Sequence, residues 1–507
     1  MFAFNVNRKS EGKMAKQNAN CTLTTGLRHL VAMLLILTTA GCMSVGPDYE
    51  APQSELPEAW QDGDDPALAR DLDLIVRWWT LFDDPLLQRL IEEGAHRNLD
   101  LRSALARVRE ARARLGVASG EYWPQVDAQG SVQRLRTSEN GLSANGGDSE
   151  TLYGVGFDAS WEIDLFGRIR RSVEAARADY QASSEDQADV MISVYAEIAR
   201  SYFTIRTVQA RLAATDGNIV SQRQVLELTR SRFRNGLATG LDVAQAERVL
   251  AASEAVVPPL RTALRQAINA LTVLLGRMPG ELFAELNEPA PIPLPPATVA
   301  VGVPADLLRR RPDVRRAERQ LASQTARIGI ATADLYPRLS LSGTFALESI
   351  SAGDLFKSSS RAFSFGPAVR WLLFDGNRVR SNIAAEEALA EQALYRYEQT
   401  VLTAVAEAEN ALTEYLQQRI QQTALERSQS AAQRSLKLAT GLYKDGLSDF
   451  QNVLDAQRAL FTIENELAAA RGDVVINLVQ LYKAIGGGWT PPEASAQLAE
   501  SKSEEKP

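Results

Sequence analysis

The stretch Tyr153-Gly-Val-Gly-Phe-Asp-Ala-Ser-Trp-Glu-Ile-Asp-Leu165 alternates apolar residues with small or polar ones along its whole length. Successive side chains of a β-strand point to opposite faces, so this period of two predicts a strand with one apolar face. Three other segments alternate in the same way, and strands of about ten residues match the length of tilted membrane strands. A soluble sandwich with one buried face is the alternative. The predicted strands cover about 122–135, 151–165, 336–348 and 362–374.

The chain contains two copies of one unit. Residues 113–118 (ARLGVA) recur at 326–331 (ARIGIA), a spacing of 213. Further along, the spacing settles at 210, which pairs Asn235-Gly236-Leu237 with Asp445-Gly446-Leu447. Self-similarity over such lengths predicts a repeated fold. We assign repeat 1 to 86–288, a Pro-rich linker to 289–304 and repeat 2 to 305–488.

Long helices occupy most of each copy. Residues 168–233 contain no Pro and little Gly, and the same holds for 378–443. At 1.5 Å per residue, a helix of about 65 residues reaches roughly 100 Å. Its apolar residues recur at the mixed three- and four-residue spacing of coiled-coil-like packing. The predicted long helices cover about 168–235, 241–276, 378–445 and 449–486.

Four strands cannot close a barrel, because the smallest membrane barrels need about eight. Open sheet edges are not tolerated in lipid, so strands that span a membrane must be pooled between chains. A dimer, trimer or tetramer would supply eight, twelve or sixteen strands. Composition does not choose among them.

The composition excludes several kinds of chemistry. The 507-residue chain has 45% hydrophobic residues, a formal net charge of −8, two Cys and two His. These counts argue against a disulfide framework, a zinc cluster and most His-based catalysis. The acidic balance argues against nucleic-acid binding. We interpret His96 as a surface residue.

The amino terminus predicts export. The apolar run 30–37 is followed by the sequence Ala-Gly-Cys42, which resembles a secretory signal ending in a bacterial lipobox whose Cys becomes lipidated. Thr39 stands where Leu is usual, so an ordinary signal peptide cleaved nearby is the alternative. Removal of residues 1–41 takes away five Lys/Arg and one Glu, which changes the net charge from −8 to −12. We assign 1–41 to a lipoprotein signal peptide, 42–85 to a lipid-anchored segment and 489–507 to a disordered tail; the start codon is Met1 or Met14.

Motifs along the whole mature chain carry a family resemblance. They are Cys42 with Val45–Tyr49, Trp78-Trp79 with Phe82 and Asp84-Pro85, Trp161–Arg168 (WEIDLFGR), Pro304–Asp313 (PADLLRRRPD), Leu454–Gln457 (LDAQ) and Leu481–Trp489 (LYKAIGGGW). Together they resemble outer-membrane factors of the TolC/OprM type, in particular the lipoprotein (NodT-type) branch that serves RND efflux pumps.

The resemblance implies a mainly α fold with a transmembrane β component. It implies a homotrimer in which four strands per chain complete a twelve-stranded outer-membrane barrel on a periplasmic tunnel of antiparallel helices. Its partners would be a periplasmic adapter (membrane fusion protein), an inner-membrane RND transporter and outer-membrane lipid, without nucleic acid. Such a duct exports drugs, solvents or metal ions passively and needs neither catalytic residues nor a cofactor beyond the lipid on Cys42.

The resemblance also assigns two sets of site residues. The turns that end the longest helices would dock the adapter, and residues around the second turn would form the periplasmic gate. The docking residues are Asn235, Gly236, Leu237, Asp445, Gly446 and Leu447. The gate residues are Asp455, Asn452, Asp449, Tyr443 and Asp242. Plain helix-ending turns are the alternative for the first set, and a solvated helix-start carboxylate is the alternative for Asp242.

Other functions stay open on the sequence. The same architecture could serve as the exit duct of a type I protein secretion system, and a structural coiled-coil lipoprotein could tether the envelope. A hydrolase built on Glu162 and Asp164 is disfavoured, because the repeat has no matching acidic pair. The basic cluster at 309–311 with Arg315 and Arg316 is interpreted as structural, beside a helix that begins at Pro312.

Overall fold

The computed structural model describes residues 44–53, 56–66, 68–69, 76–136, 138, 140, 149–296, 298–306 and 310–490. The predicted signal peptide, Cys42 and residues 491–507 of the predicted tail lie outside these residues. The described chain is mostly helical, which confirms the helical part of the predicted fold class. None of its described helices combines the length and the apolar character that crossing a membrane requires.

The order of a helix, two strands and a 67-residue helix occurs in each half of the chain. The strands are β1 (Leu68–Ala69), β2 (Gln125–Arg136), β3 (Ser149–Ile163), β4 (Val299–Ala300), β5 (Arg338–Ser349) and β6 (Arg361–Arg370). The helices are α1 (Pro85–Arg97), α2 (Leu99–Gly120), α3 (Arg168–Arg234), α4 (Gly240–Glu254), α5 (Val257–Leu274), α6 (Phe283–Leu286), α7 (Pro312–Ala333), α8 (Arg378–Lys444) and α9 (Phe450–Ala484).

The residues fall into two compact units. The strand unit contains the described residues up to Glu50 together with Arg112–Asp179 and Gln320–Ala393. The helical unit contains the described parts of Ala51–Ala111, Tyr180–Arg319 and the region from Leu394 onward.

The strand unit is built on an antiparallel sheet in the order β2-β3-β5-β6. Its register places the alternating apolar residues of all four strands on one face. Most of their cross-strand partners are apolar as well, and the exceptions are Gly130, Gly343, Ser349 and Arg361. The opposite face is small and polar, and on it Thr344 donates a hydrogen bond to its register partner Asp158 at 2.7 Å. The apolar face carries Val126, Ala128, Val132, Tyr153, Val155, Phe157, Ala159, Trp161, Ile163, Leu339, Leu341, Phe345, Leu347, Phe363, Phe365, Pro367 and Val369.

No other described part of the chain covers this apolar face. Phe363 and Phe365 are 73% and 81% exposed, and Phe157 and Phe345 are about half exposed. Exposed apolar surface of this extent marks a face that contacts a partner or lipid.

A pair of tryptophans marks the strand ends that meet the helices. Trp161 donates its indole N–H to the carbonyl of Tyr122, and Trp371 donates to that of Leu335, each at 3.0 Å. Both donors and both acceptors are related by the repeat spacings. The two copies therefore close their helix–strand junctions with the same bond.

The first described residues are held against the start of α3. The amide of Val45 donates to the carbonyl of Phe166 at 3.1 Å. The buried Arg171 donates to the carbonyls of Val45 and Gly46 and forms an ion pair with Asp48 at 2.7 Å. Val45 and Gly46 are thus fixed close to the end of β3.

The helical unit has an aromatic core. Trp78 stacks on Tyr482 with a centroid separation of 5.6 Å. Asp84 caps α1 and accepts a hydrogen bond from the Tyr202 hydroxyl at 2.5 Å. Burial and the neighbouring Asp84 carboxylate raise the pKa of Tyr202 to about 12, so this hydroxyl keeps its proton and remains a donor at neutral pH. The core fixes the 3-10 segment Trp78–Phe82 against α3 and α9.

Three local features differ from the sequence assignments. The last strand was predicted over about 362–374, but β6 ends at Arg370. One helix was predicted over 241–276, but α4 ends at Glu254 and α5 begins at Val257. Pro258 and Pro259 lack amide hydrogens, so the ladder of backbone bonds cannot continue through them. Residue 489 was assigned to the disordered tail, but Trp489 is buried and donates to the carbonyl of Arg310 at 2.8 Å.

Candidate docking and gate region

The first of two repeat-related turns follows α3. The amide of Leu237 donates to the carbonyl of Arg232 at 2.9 Å, and the amide of Gly236 donates to that of Phe233 at 3.0 Å. This pair of bonds is a Schellman motif, which satisfies carbonyls left open at a helix end. Gly236 has a φ of +73°, a left-handed conformation that glycine adopts without steric cost. Asn235 precedes it and bonds back into the last turn of α3.

The second turn, after α8, closes in the same way. The amide of Leu447 donates to the carbonyl of Leu442 at 2.8 Å, and that of Gly446 donates to Tyr443 at 3.1 Å. Gly446 has a φ of +75°. Asp445 bonds back to the carbonyl of Gly441. The two predicted docking turns therefore share one backbone geometry.

Both turns present a leucine to solvent. Leu237 is 64% exposed and Leu447 is 74% exposed. In a Schellman motif the residue at this position usually packs back against the helix it follows. Leu237 and Leu447 are exposed instead, and their docking role stays a prediction.

Arg232 links the two turns, and the sequence analysis missed it. Its Nη1 donates to the carbonyl of Lys444 at 2.8 Å, and its Nη2 donates to that of Leu237 at 3.5 Å. Its guanidinium lies over the ring of Tyr443, 4.7 Å from the centroid. The sequence signal that could have identified Arg232 is a basic residue in the last turn of a helix, since cations are stabilised at helix C-termini. Nothing in the local sequence indicated that this one reaches a second helix end.

Tyr443, predicted as a gate residue, is only 4% exposed. Its ring packs on Phe450 with centroids 5.2 Å apart, in a cluster that includes Val249 of α4 and Leu454 of α9. Its hydroxyl is buried without a hydrogen-bond partner among the described residues. Within the chain this side chain therefore packs between helices.

Asp455, the predicted acidic ring position, is partnered along its own helix. Gln451 donates to its Oδ1 at 3.0 Å, and Arg458 lies 3.6 Å away. The Asp455 side chain is 59% exposed. Asn452, one turn before it, donates from Nδ2 to the hydroxyl of Ser448 at 2.9 Å. A carboxylate that has partners on one side and solvent on the other still produces a negative electrostatic potential on the solvent side.

Asp449 and Asp242 both stand at helix starts. Asp449 precedes α9 in an extended conformation, and its side chain makes no capping bond. Asp242 completes a capping box: it accepts from the amide of Thr239 at 2.8 Å, while its own amide donates to the Thr239 hydroxyl. Capping boxes satisfy two open amides at once. This bonding gives Asp242 a structural role at the start of α4, and its gate role stays a prediction.

Three arginines of the basic cluster around Pro312 are paired with acids. Arg311 contacts Asp313 and Glu407, Arg315 lies 3.0 Å from Glu185, and Arg316 lies 2.7 Å from Asp186. α7 begins at Pro312, as predicted. Burial, and then the nearby Asp313 carboxylate, raise the pKa of Asp189, although Arg316 and Arg311 oppose this shift.

The described His, Cys, Asp and Glu residues form no group that could hold a metal ion.

Comparisons with known proteins agree with this architecture. The family model for the outer membrane efflux protein matches residues 90–277 and 303–487. Nodulation protein T of Rhizobium leguminosarum bv. trifolii is 33% identical over 457 residues, which cover 90% of this chain and 96% of that protein. The solvent efflux pump outer membrane protein SrpC of Pseudomonas putida is 33% identical over 470 residues, covering 90% and 98%. The solved structure of the outer-membrane channel OprN matches with a TM-score of 0.84 at 35% identity, covering 88% of this chain and 99% of that one.

We expect Gly446→Ala to destabilise the second turn by about 1–2 kcal/mol, because a Cβ disfavours the left-handed backbone. A Cβ at Gly446 would meet its nearest neighbour, the Arg232 guanidinium, at an ordinary 3.8 Å, so the cost is conformational rather than a clash. The measurement is amide hydrogen exchange over residues 442–450.

Gly441→Ala is the matched control. Gly441 lies inside α8 with open space around its Cβ position, so alanine there should stabilise the helix by about 0.5–1 kcal/mol. Equal exchange rates in the two variants would contradict the assigned turn geometry.

Proposed function

This chain belongs to the outer membrane efflux protein family, and we propose that it is the outer-membrane channel component of a tripartite efflux pump of the RND type. Its location is the outer membrane. In this proposal three copies form a tunnel that conducts drugs or other small toxic compounds passively from the periplasm to the exterior. The protein itself performs no covalent chemistry and carries no cofactor other than the lipid on Cys42.

The observation that carries this proposal is the sheet of the strand unit. One face is apolar and uncovered, the other is small and polar, and the outer strands β2 and β6 have no partner on one side within the described chain. An apolar band facing lipid and a polar face lining a lumen are the two surfaces of a membrane barrel. Closure by further copies satisfies the open edges, and three copies supply twelve strands.

The internal repeat predicts how neighbouring copies pair. In the repeat, Ser131 corresponds to Thr344 and Ala368 corresponds to Asp158. Thr344 and Asp158 lie opposite each other in the β3–β5 ladder. If the same geometry joins β6 of one chain to β2 of the next, Ala368 faces Ser131 across the interface. This register also keeps the apolar residues of both strands on one face.

The first described residues and the two turns fit the same proposal. The chain after Cys42 is held by Arg171 beside the end of β3, so a lipid on Cys42 would enter the membrane next to the barrel. The two exposed leucine turns would dock the periplasmic adapter, which connects the tunnel to the inner-membrane transporter. Asp455 of each chain would form an acidic ring at the constriction, with Asn452, Asp449 and Asp242 near it.

The function is tested in a deletion strain with a panel of antibiotics, organic solvents and metal salts. We expect increased sensitivity to at least one compound class, restored by the plasmid-borne gene. The solvent class has particular support because SrpC, at 33% identity, is a solvent efflux pump component. Unchanged sensitivity to every compound, together with no single-channel conductance of the purified protein in planar bilayers, would contradict the proposal.

We expect the double variant Ser131→Cys/Ala368→Cys to form covalent trimers upon oxidation, seen on non-reducing gels. Directly opposed residues of antiparallel strands have Cα atoms about 4.5–5.5 Å apart, within disulfide reach. Leu135→Cys/Ala368→Cys is the control, since residue 135 lies on the same face but four positions away, roughly 13 Å along the strand. Equal cross-linking of both pairs would rule out the predicted register.

We expect Asp455→Ala to increase single-channel conductance several-fold and to reduce cation preference in planar bilayers. The change removes one carboxylate per chain at the constriction and its contacts to Gln451 and Arg458. Asp473→Ala, also on α9 but about five turns away, is the control and should conduct as the wild type. An Asp455→Ala channel with wild-type conductance and selectivity would remove Asp455 from the gate.

A further inference from the structure

Arg232 makes contacts that a residue serving only its own helix end would not make. It lies in the last turn of α3, yet its Nη1 bonds to Lys444, the last residue of α8, at 2.8 Å. Its guanidinium also covers the ring of Tyr443. The sequence separation from Lys444 is 212 residues, so this contact joins the first copy of the repeat to the second.

We propose that Arg232 is a positioning residue that clasps the two turns to each other, so that Leu237 and Leu447 form one composite docking surface. This inference rests on the proposed function for the identity of the docking partner. The clasp itself is a property of this chain.

The repeat shows that the clasp belongs to one copy only. At the spacing of 210, the position equivalent to Arg232 is Leu442. Both residues accept the closing Schellman bond through their carbonyls, from Leu237 and Leu447 respectively. The two backbones are therefore equivalent, and only the arginine side chain crosses from one turn to the other.

The chemistry of arginine suits this position. The carbonyl of Lys444 lies at the negative end of the α8 dipole, where a cation is favoured. A planar guanidinium can stack on an aromatic ring while its edge donates two further hydrogen bonds, which an ammonium group cannot do. Arg232 also donates to the carbonyl of Leu237 in its own turn, so one side chain holds both turns.

Arg234 is a second basic residue at the same helix end, and it can be compared with Arg232. It is the last residue of α3 and equally basic, but it is exposed. A general helix-end effect would involve both arginines, whereas a clasp involves Arg232 alone.

Hydrogen exchange of the full-length protein in detergent tests the clasp without any assumption about efflux. We expect Arg232→Gln to accelerate amide exchange by about tenfold in both turns, over 235–240 and 445–450, which corresponds to about 1.4 kcal/mol and lies within the range for a lost hydrogen bond. Arg232→Lys should protect only partially, and Arg234→Gln should match the wild type. Acceleration confined to 235–240, or none at all, would overturn the inference.

A second readout tests the docking surface. In the deletion strain, Arg232→Gln should restore resistance less well than Arg234→Gln, while both variants form trimers in equal amount. Full restoration by Arg232→Gln despite faster exchange in both turns would show that docking does not need the clasp. If Arg232→Gln does not assemble, Arg232→Lys takes its place in both measurements. Failure of the deletion strain to show any phenotype would count against the proposed function alone, because the exchange result still decides the clasp.

Discussion

Among the described residues, one edge of β2 and one edge of β6 pair with no other strand, and their open backbone N–H and C=O groups are the constraint on which the rest of the structure depends. In lipid each such group costs several kcal/mol, so a sheet with two open edges cannot stand alone there. Period-two alternation supplies an exposed apolar face, and the β3–β5 ladder shows that the two copies of the repeat can pair edge to edge. In the proposed trimer the same ladder is used again between chains, which makes one mode of strand pairing sufficient to close the barrel.

The requirement that backbone polar groups form hydrogen bonds also applies at the ends of α3 and α8, which are far from the strands in sequence. Carbonyls at the end of α3 and α8 are satisfied by Schellman bonds, and a glycine in each turn makes that closure possible. Arg232 adds a donor where the last carbonyl of α8 would otherwise depend on water. Hydrogen bonding of the backbone carbonyls thus determines the conformation of the two turns, and the side chains determine which chemical groups each turn exposes.

The sequence was sufficient where the physics is periodic or local. Alternation over 153–165 predicted an apolar strand face, Pro312 predicted the start of α7, and the motifs identified the family. The break before α5 was missed although Pro258-Pro259 signalled it. The burial of Tyr443 and the reach of Arg232 could not be predicted, because both depend on helices that pack across more than 190 residues of sequence. Composition could not choose among a dimer, trimer or tetramer, because any of these would pair the open edges.

The β3–β5 ladder also joins strands that are far apart in the order of synthesis. Phe157 pairs with Phe345, a residue synthesised on the order of ten to forty seconds later at typical elongation rates. Until β5 exists, β2 and β3 form an isolated hairpin, which is marginally stable in water at best. During that interval the apolar face of the hairpin lacks the neighbouring strand that the completed sheet supplies.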